Sequence, residues 1–67
     1  MAKYRVGDIL RMDFGIIDQI DKTPIIYYAL ITETDGQAYI YHYLDDWELE
    51  WDSVNFIDTH KGITLHA

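Results

Sequence analysis

The residues of this chain that could do chemistry crowd into one stretch, "QAYIYHYLDDWELEW", Gln37 to Trp51. Three tyrosines alternate there with other residues before two tryptophans appear among the carboxylates Asp45, Asp46, Glu48 and Glu50. Carboxylate pairs hydrolyse glycosides when they face each other across a cleft several ångströms wide. These four lie too close in sequence to flank a ligand from two sides, and Asp45-Asp46 reads as a solvated turn. His42, His60 and His66 lack the spacing of a zinc site, and the absence of cysteine removes thiol nucleophiles and thiolate ligands. A triad could be written from Ser53 with His42 or His60, but no nucleophile elbow surrounds the serine, which is better explained as a helix cap. The expectation is a protein without enzymatic activity, metal or cofactor.

What remains is binding. Tyrosine and tryptophan dominate the energetics of protein interfaces, and carboxylates beside them select a basic partner and speed its encounter. The partner-binding candidates are Tyr41, Tyr43, Asp45, Asp46, Trp47, Glu48 and Trp51, and the partner a basic protein or peptide. Twelve acidic against five basic side chains give a net charge of −7, with Lys3, Arg5, Arg11, Lys22 and Lys61 scattered. Direct nucleic-acid binding is therefore disfavoured, because it needs clustered cations. Two further readings stand beside the interaction module. In one, Asp13, Asp18, Asp21, Glu33, Asp35, Asp46, Glu48 and Glu50 imitate phosphates and occupy a host DNA-binding protein. In the other, exposed strand edges and apolar surface drive assembly into a homodimer or ring.

Sixty-seven residues make one domain, 1–67, whose small core must be filled by large side chains. No apolar run reaches the ~18 residues of a membrane span, and "MAKYRVGD" lacks the apolar region of a secretory signal, so a cytoplasmic protein is expected. Strand signals prevail along the chain. In "YRVGDILRMDF", Val6, Leu10, Met12 and Phe14 share the parity that a two-residue period turns inward, with a bend at Gly7-Asp8. "GIIDQIDKTP" is a connecting loop whose Ile16, Ile17 and Ile20 fold back over one end. "IIYYALITET" is a second strand, and Asp35-Gly36 a type I′ turn into a third strand starting at Gln37. "WELEW" alternates as a strand with Trp47, Leu49 and Trp51 on its buried face. Asp52 or Ser53 caps a single 3₁₀ turn near residues 52–56, and "IDTHKGITLH" closes the chain as a strand that bends at His60-Lys61-Gly62. In the third strand, aliphatic content favours Ala38, Ile40, His42 and Leu44 inward with the tyrosines outward, while the reverse assignment buries the tyrosines and exposes Ile40 and Leu44; the aliphatic core is the preferred of the two.

The order "VGDIL", loop, a strand with Ala-Leu-Ile, a tight turn, "YIYHYLDD", a short strand and "DSVNF" before a closing strand resembles an SH3-like small β-barrel of the Tudor type. The chain is also similar to the small SH3-like proteins of bacteriophage genomes, which implies a phage-encoded protein in a host cytoplasm. The Tudor resemblance covers nearly the whole chain and implies an all-β barrel of about five strands. It further implies a cage of aromatic side chains that attracts a methylated cation through the ring faces. The matching positions are Phe14, Tyr27, Tyr43 and, with one residue inserted at Asp45-Asp46, Trp47.

Overall fold

A computed structural model describes residues 2–67. Five antiparallel strands form one sheet: β1 (Ile9–Ile17), β2 (Pro24–Thr34), β3 (Ala38–Tyr43), β4 (Glu50–Ser53) and β5 (Ile63–Leu65). One helix, α1 (Val54–Thr59), precedes β5, and the strand order is β4-β3-β2-β1-β5. The protein is thus all-β with little helix. No ladder joins β4 to β5 among the described residues, so pairing does not close the sheet into a complete ring.

Strand alternation sets the inner face. Leu10 and Met12 of β1 sit opposite Ala29 and Tyr27 of β2, and Ala29 and Ile31 sit opposite Tyr43 and Tyr41 of β3. Beyond Ile31 the register slips by one residue, and Thr32 is the extra member of the bulge. Its hydroxyl donates to the Ile40 carbonyl at 3.2 Å, a group the disturbed ladder would otherwise leave short of a donor. The slip reverses the parity of β2, so Glu33 shares the outer face with Ile40 while Thr34 pairs with Tyr39.

The core consists of Tyr4, Leu10, Met12, Ala29, Ile31, Tyr39, Tyr41, Val54, Ile57 and Ile63. Tyr39 and Tyr41 are buried, which corrects the expectation of an aliphatic inner face on the third strand: Ala38 and Ile40 are half-buried and Leu44 is exposed. A tyrosine fills more of a small core than an aliphatic residue does, provided its hydroxyl finds a partner. Both hydroxyls do. Tyr39 donates to Asp58 Oδ1 at 2.7 Å and accepts the Tyr4 N–H at 3.0 Å; Tyr41 donates to Asp52 Oδ2 at 2.6 Å. His42, of the opposite parity, is also buried.

Four local expectations change. β1 runs on through Ile17 and pairs Ile17 with Pro24, so the "GIIDQIDKTP" segment is the far end of a hairpin and does not fold back over the core. Ile16 and Ile17 are exposed there, and Ile20 is 89% exposed. The tip is shaped by Asp18, whose Oδ1 accepts the N–H groups of Ile20 and Asp21. At the next turn only Gly36 has positive φ, 88°, whereas a type I′ turn needs two such residues. The connection is a three-residue loop in which Asp35 Oδ1 accepts from Gln37 and Ala38 N–H, and β3 begins at Ala38. Residues 46–49 have no regular structure, so "WELEW" contributes to β4 only from Glu50. The 3₁₀ turn is instead a six-residue α-helix capped by Ser53, whose Oγ accepts the Phe56 N–H at 3.1 Å. Ile57–Thr59 belong to that helix, which shortens the closing strand to Ile63–Leu65.

Two substitutions test this frame. Tyr39→Phe keeps the ring but leaves the Tyr4 N–H and the Asp58 carboxylate without their shared partner; a loss of about 2–3 kcal/mol is expected in urea unfolding. At Gly62 a Cβ would land on the Asp13 carbonyl oxygen, a backbone atom that cannot swing aside. Gly62→Ala is therefore expected to separate β5 from β1 and cost about 3 kcal/mol, with the lost protection read by amide exchange at Asp13.

Candidate functional site

The sheet divides the aromatic residues into two groups. On the inner face a row of rings runs from the helix to β4. Phe56 lies 5.4 Å from His60, His60 5.4 Å from Phe14, Phe14 6.3 Å from Tyr27, Tyr27 5.2 Å from Tyr43 and Tyr43 5.8 Å from Tyr41. Cross-strand register explains the order, since Met12 opposite Tyr27 and Ala29 opposite Tyr43 bring their row neighbours alongside. His60 is held by its own backbone turn, where its Nδ1 accepts the Gly62 N–H at 3.0 Å. At the other end Tyr41 sits opposite Glu50 and Tyr39 opposite Asp52, so both carboxylates belong to this face.

Three of the four cage candidates, Phe14, Tyr27 and Tyr43, are neighbours in this row. The fourth, Trp47, leaves it. Its ring lies 5.0 Å from that of His42 at 31°, on the opposite face of β3. Tyr41 also departs from its expected role: it is buried and holds Asp52, and so offers a partner almost no contact area. The seven partner-binding candidates thus separate, with Tyr41 and Tyr43 on the inner face and Asp45, Asp46, Trp47, Glu48 and Trp51 outside.

Outside, every residue from Leu44 to Trp51 is exposed. Trp47 is 83% exposed and Trp51 71%, against the expectation that they line a buried strand face. The reason is geometric. The Leu44 N–H is taken by the Tyr28 carbonyl, the Asp46 N–H by the Tyr43 carbonyl and the Glu48 N–H by Asp46 Oδ1, so the chain turns away from β2 before β4 begins. Trp51 then faces Ile40 across the ladder, on the side away from the core.

Electrostatics reinforce the asymmetry. Between Thr23 and His60 there are eight carboxylates and no Lys or Arg, a charge of −8; the rest of the chain carries four acids and five bases, a charge of +1. These values make up the net −7, and the strand order places most of the negative charge on the β3–β4 side. The segregation is visible in the sequence once charge is counted by segment, and the scatter of the five bases conceals it. Asp35 is held below the usual carboxylate range by the Gln37 and Ala38 N–H groups it accepts, and Asp18 likewise by Asp21 and Ile20. Tyr39, Tyr41 and Tyr43 move the other way, chiefly because burial disfavours the phenolate; Asp58 adds to this at Tyr39 and Asp52 at Tyr41.

No group of histidines and carboxylates among the described residues is arranged to hold a metal ion, and Ser53 Oγ is engaged as the cap of α1. No helix among the described residues is long and apolar enough to cross a membrane. No family model matches the chain, and no curated protein or solved structure is significantly similar to it.

The tyrosine shifts make a pH prediction. A phenol whose pKa is raised by folding contributes stability that is present below its unfolded value of about 10 and lost as pH rises through the folded value. Stability is therefore expected to fall above about pH 10, and Tyr41→Phe to weaken that dependence. Urea midpoints measured from pH 8 to 11 check the slope.

Proposed function

We propose that this protein is a non-catalytic interaction module on an SH3-like small barrel, and that it binds a basic protein through the acidic, tryptophan-bearing surface at Leu44 to Trp51. The barrel reading is supported by the five antiparallel strands, the order β4-β3-β2-β1-β5 and the single helical turn before the last strand. One observation carries the binding reading. Two tryptophans stand mostly in water between Asp45, Asp46, Glu48 and Glu50, in a domain that needs large side chains for its core. Exposed aromatic rings supply the contact area of hot spots, and the surrounding carboxylates steer and select a cationic partner.

The same surface weighs against the other two readings. A phosphate mimic needs its carboxylates lined up on one face, whereas Asp13, Asp18 and Asp21 lie on β1 and its hairpin tip and Glu50 on the inner face, apart from Asp46 and Glu48. A second copy would bring an equally acidic surface against the first, at an electrostatic cost. A second site on the same module is favoured by the row Phe14, Tyr27 and Tyr43, whose rings end near Glu50 and Asp52 and could receive one cationic side chain.

The test is capture from the source lysate by wild type and by Trp47→Ala combined with Asp46→Lys. Trp47 lies across His42 and Asp46 Oδ1 accepts the Glu48 N–H, so the variant is expected to stay folded and to lose about 1 kcal/mol in urea unfolding. Loss of a tryptophan anchor should weaken binding by about 2 kcal/mol, roughly thirtyfold. Unchanged retention of every captured protein ends the claim for this surface. Loss only with Tyr27→Ala or Tyr43→Ala moves the site to the inner row.

A further inference from the structure

The outer face of β3 carries two shallow hollows that share a wall. One is lined by Ala38, Ile40, Leu49, Glu50 and Trp51, the other by Glu33, Thr34, Asp35, Ala38 and Ile40. The β2 bulge is what joins them. By moving Thr32 out of register it puts Glu33 directly opposite Ile40, and Ile40 is opposite Trp51, so the three form one cross-strand row over β2, β3 and β4. The row is apolar at Ile40 and Trp51 and carboxylate-bearing at its β2 end, with Glu33 and Asp35.

We infer that this row is the seat of an extended peptide segment in which a bulky aliphatic residue has Lys or Arg beside it on one side. The inference rests on the acidic-aromatic reading above and extends it from the loop to the β2–β3 turn. The aliphatic side chain lies over Ile40 between Leu49 and Trp51, where it removes apolar surface of both molecules from water. The neighbouring cation meets Glu33 and Asp35 at the β2 end of the row. Charge selects this occupant over an acidic or neutral segment, because no Lys or Arg lines either hollow and none occurs between Thr23 and His60. Charge also disfavours a second copy of this chain, whose matching surface is equally acidic. Asp35 stays ionised for this role, since its Oδ1 accepts the Gln37 and Ala38 N–H groups at 2.8 and 3.0 Å.

The experiment titrates the isotopically labelled protein at low salt with the capped peptide Lys-Lys-Ile-Leu-Ile-Lys-Lys, and with the same peptide carrying Glu for Lys. Expected are amide shifts at Glu33, Asp35, Ala38, Ile40 and Trp51 with the cationic peptide, binding that weakens as salt rises, and no saturable shifts with the anionic one. Glu33→Lys, at an exposed position, should weaken the cationic peptide by about fivefold. No binding, equal binding of the two peptides, or shifts confined to Phe14, Tyr27 and Tyr43 overturns the inference. The two proposals fail separately. If lysate capture is lost in the Trp47→Ala, Asp46→Lys variant but survives Glu33→Lys, the loop reading stands and the row is not its peptide seat.

Discussion

The hydroxyl of Tyr39 is the point on which the fold turns. It donates to Asp58 on α1 and accepts the N–H of Tyr4, while the second oxygen of Asp58 accepts the Lys3 N–H. The N-terminal segment, β3 and α1 therefore meet at one buried phenol. In a domain of this length, hydrophobic area alone leaves little stability after the entropy of ordering the chain. A satisfied buried hydrogen bond adds only about 1 kcal/mol, but an unsatisfied one costs more, so this junction acts mainly as a specifier of arrangement. With Tyr39 inward, alternation turns Tyr41 and Tyr43 inward too and sends Ile40 and His42 outward.

Everything functional follows from that choice of parity. The inner face acquires its row of rings because Tyr27, Tyr41 and Tyr43 are committed to it, and the carboxylates of Glu50 and Asp52 follow through the β3–β4 register. The outer face receives Ile40 and, opposite it, Trp51. His42, outward by parity, is nonetheless buried, because Trp47 lies across it. Trp47 is thus both a cover for His42 and the most exposed ring in its segment. A side chain that packs along one face and stays wet on the other is already ordered for contact, which lowers the entropy a partner must overcome.

Much of this was legible in the residues. Strand composition located β1, β2 and β3, Gly7 announced the bend before β1, and Ser53 announced the helix start, because each depends on chemistry within a few neighbours. What could not be read locally was which face a strand buries. Ala38, Ile40 and Leu44 form as good an apolar set as Tyr39, Tyr41 and Tyr43, and the tie is broken only by Asp58 and Asp52, distant in sequence, offering acceptors to the phenols. "WELEW" misleads for a related reason. Its alternation is real, yet with the core already filled by tyrosines no apolar layer remains for Trp47, Leu49 and Trp51 to face. Three of the cage candidates meet because Phe14 and Tyr27 lie on paired strands and Tyr43 on the next. Trp47 belongs to a turn whose direction is set by backbone bonds from Leu44 and Asp46, which side-chain pattern does not encode.

The two surfaces differ in how freely they can vary. Tyr43 and Tyr27 lie against the core, so a substitution that changes what the inner row binds also changes what holds the sheet. The segment from Leu44 to Leu49 is attached by the backbone bonds of Leu44 and Asp46, and its side chains contribute little to the packed interior. Its residues can be exchanged at small cost to stability, whereas the acidic charge around it acts at a distance and survives most single changes. A partner-selecting function is therefore more readily tuned on the outer surface than on the inner one. The bulge at Thr32 lets that outer surface continue onto β2, since without the slip Glu33 would face the core, where an unpaired carboxylate could not stay charged.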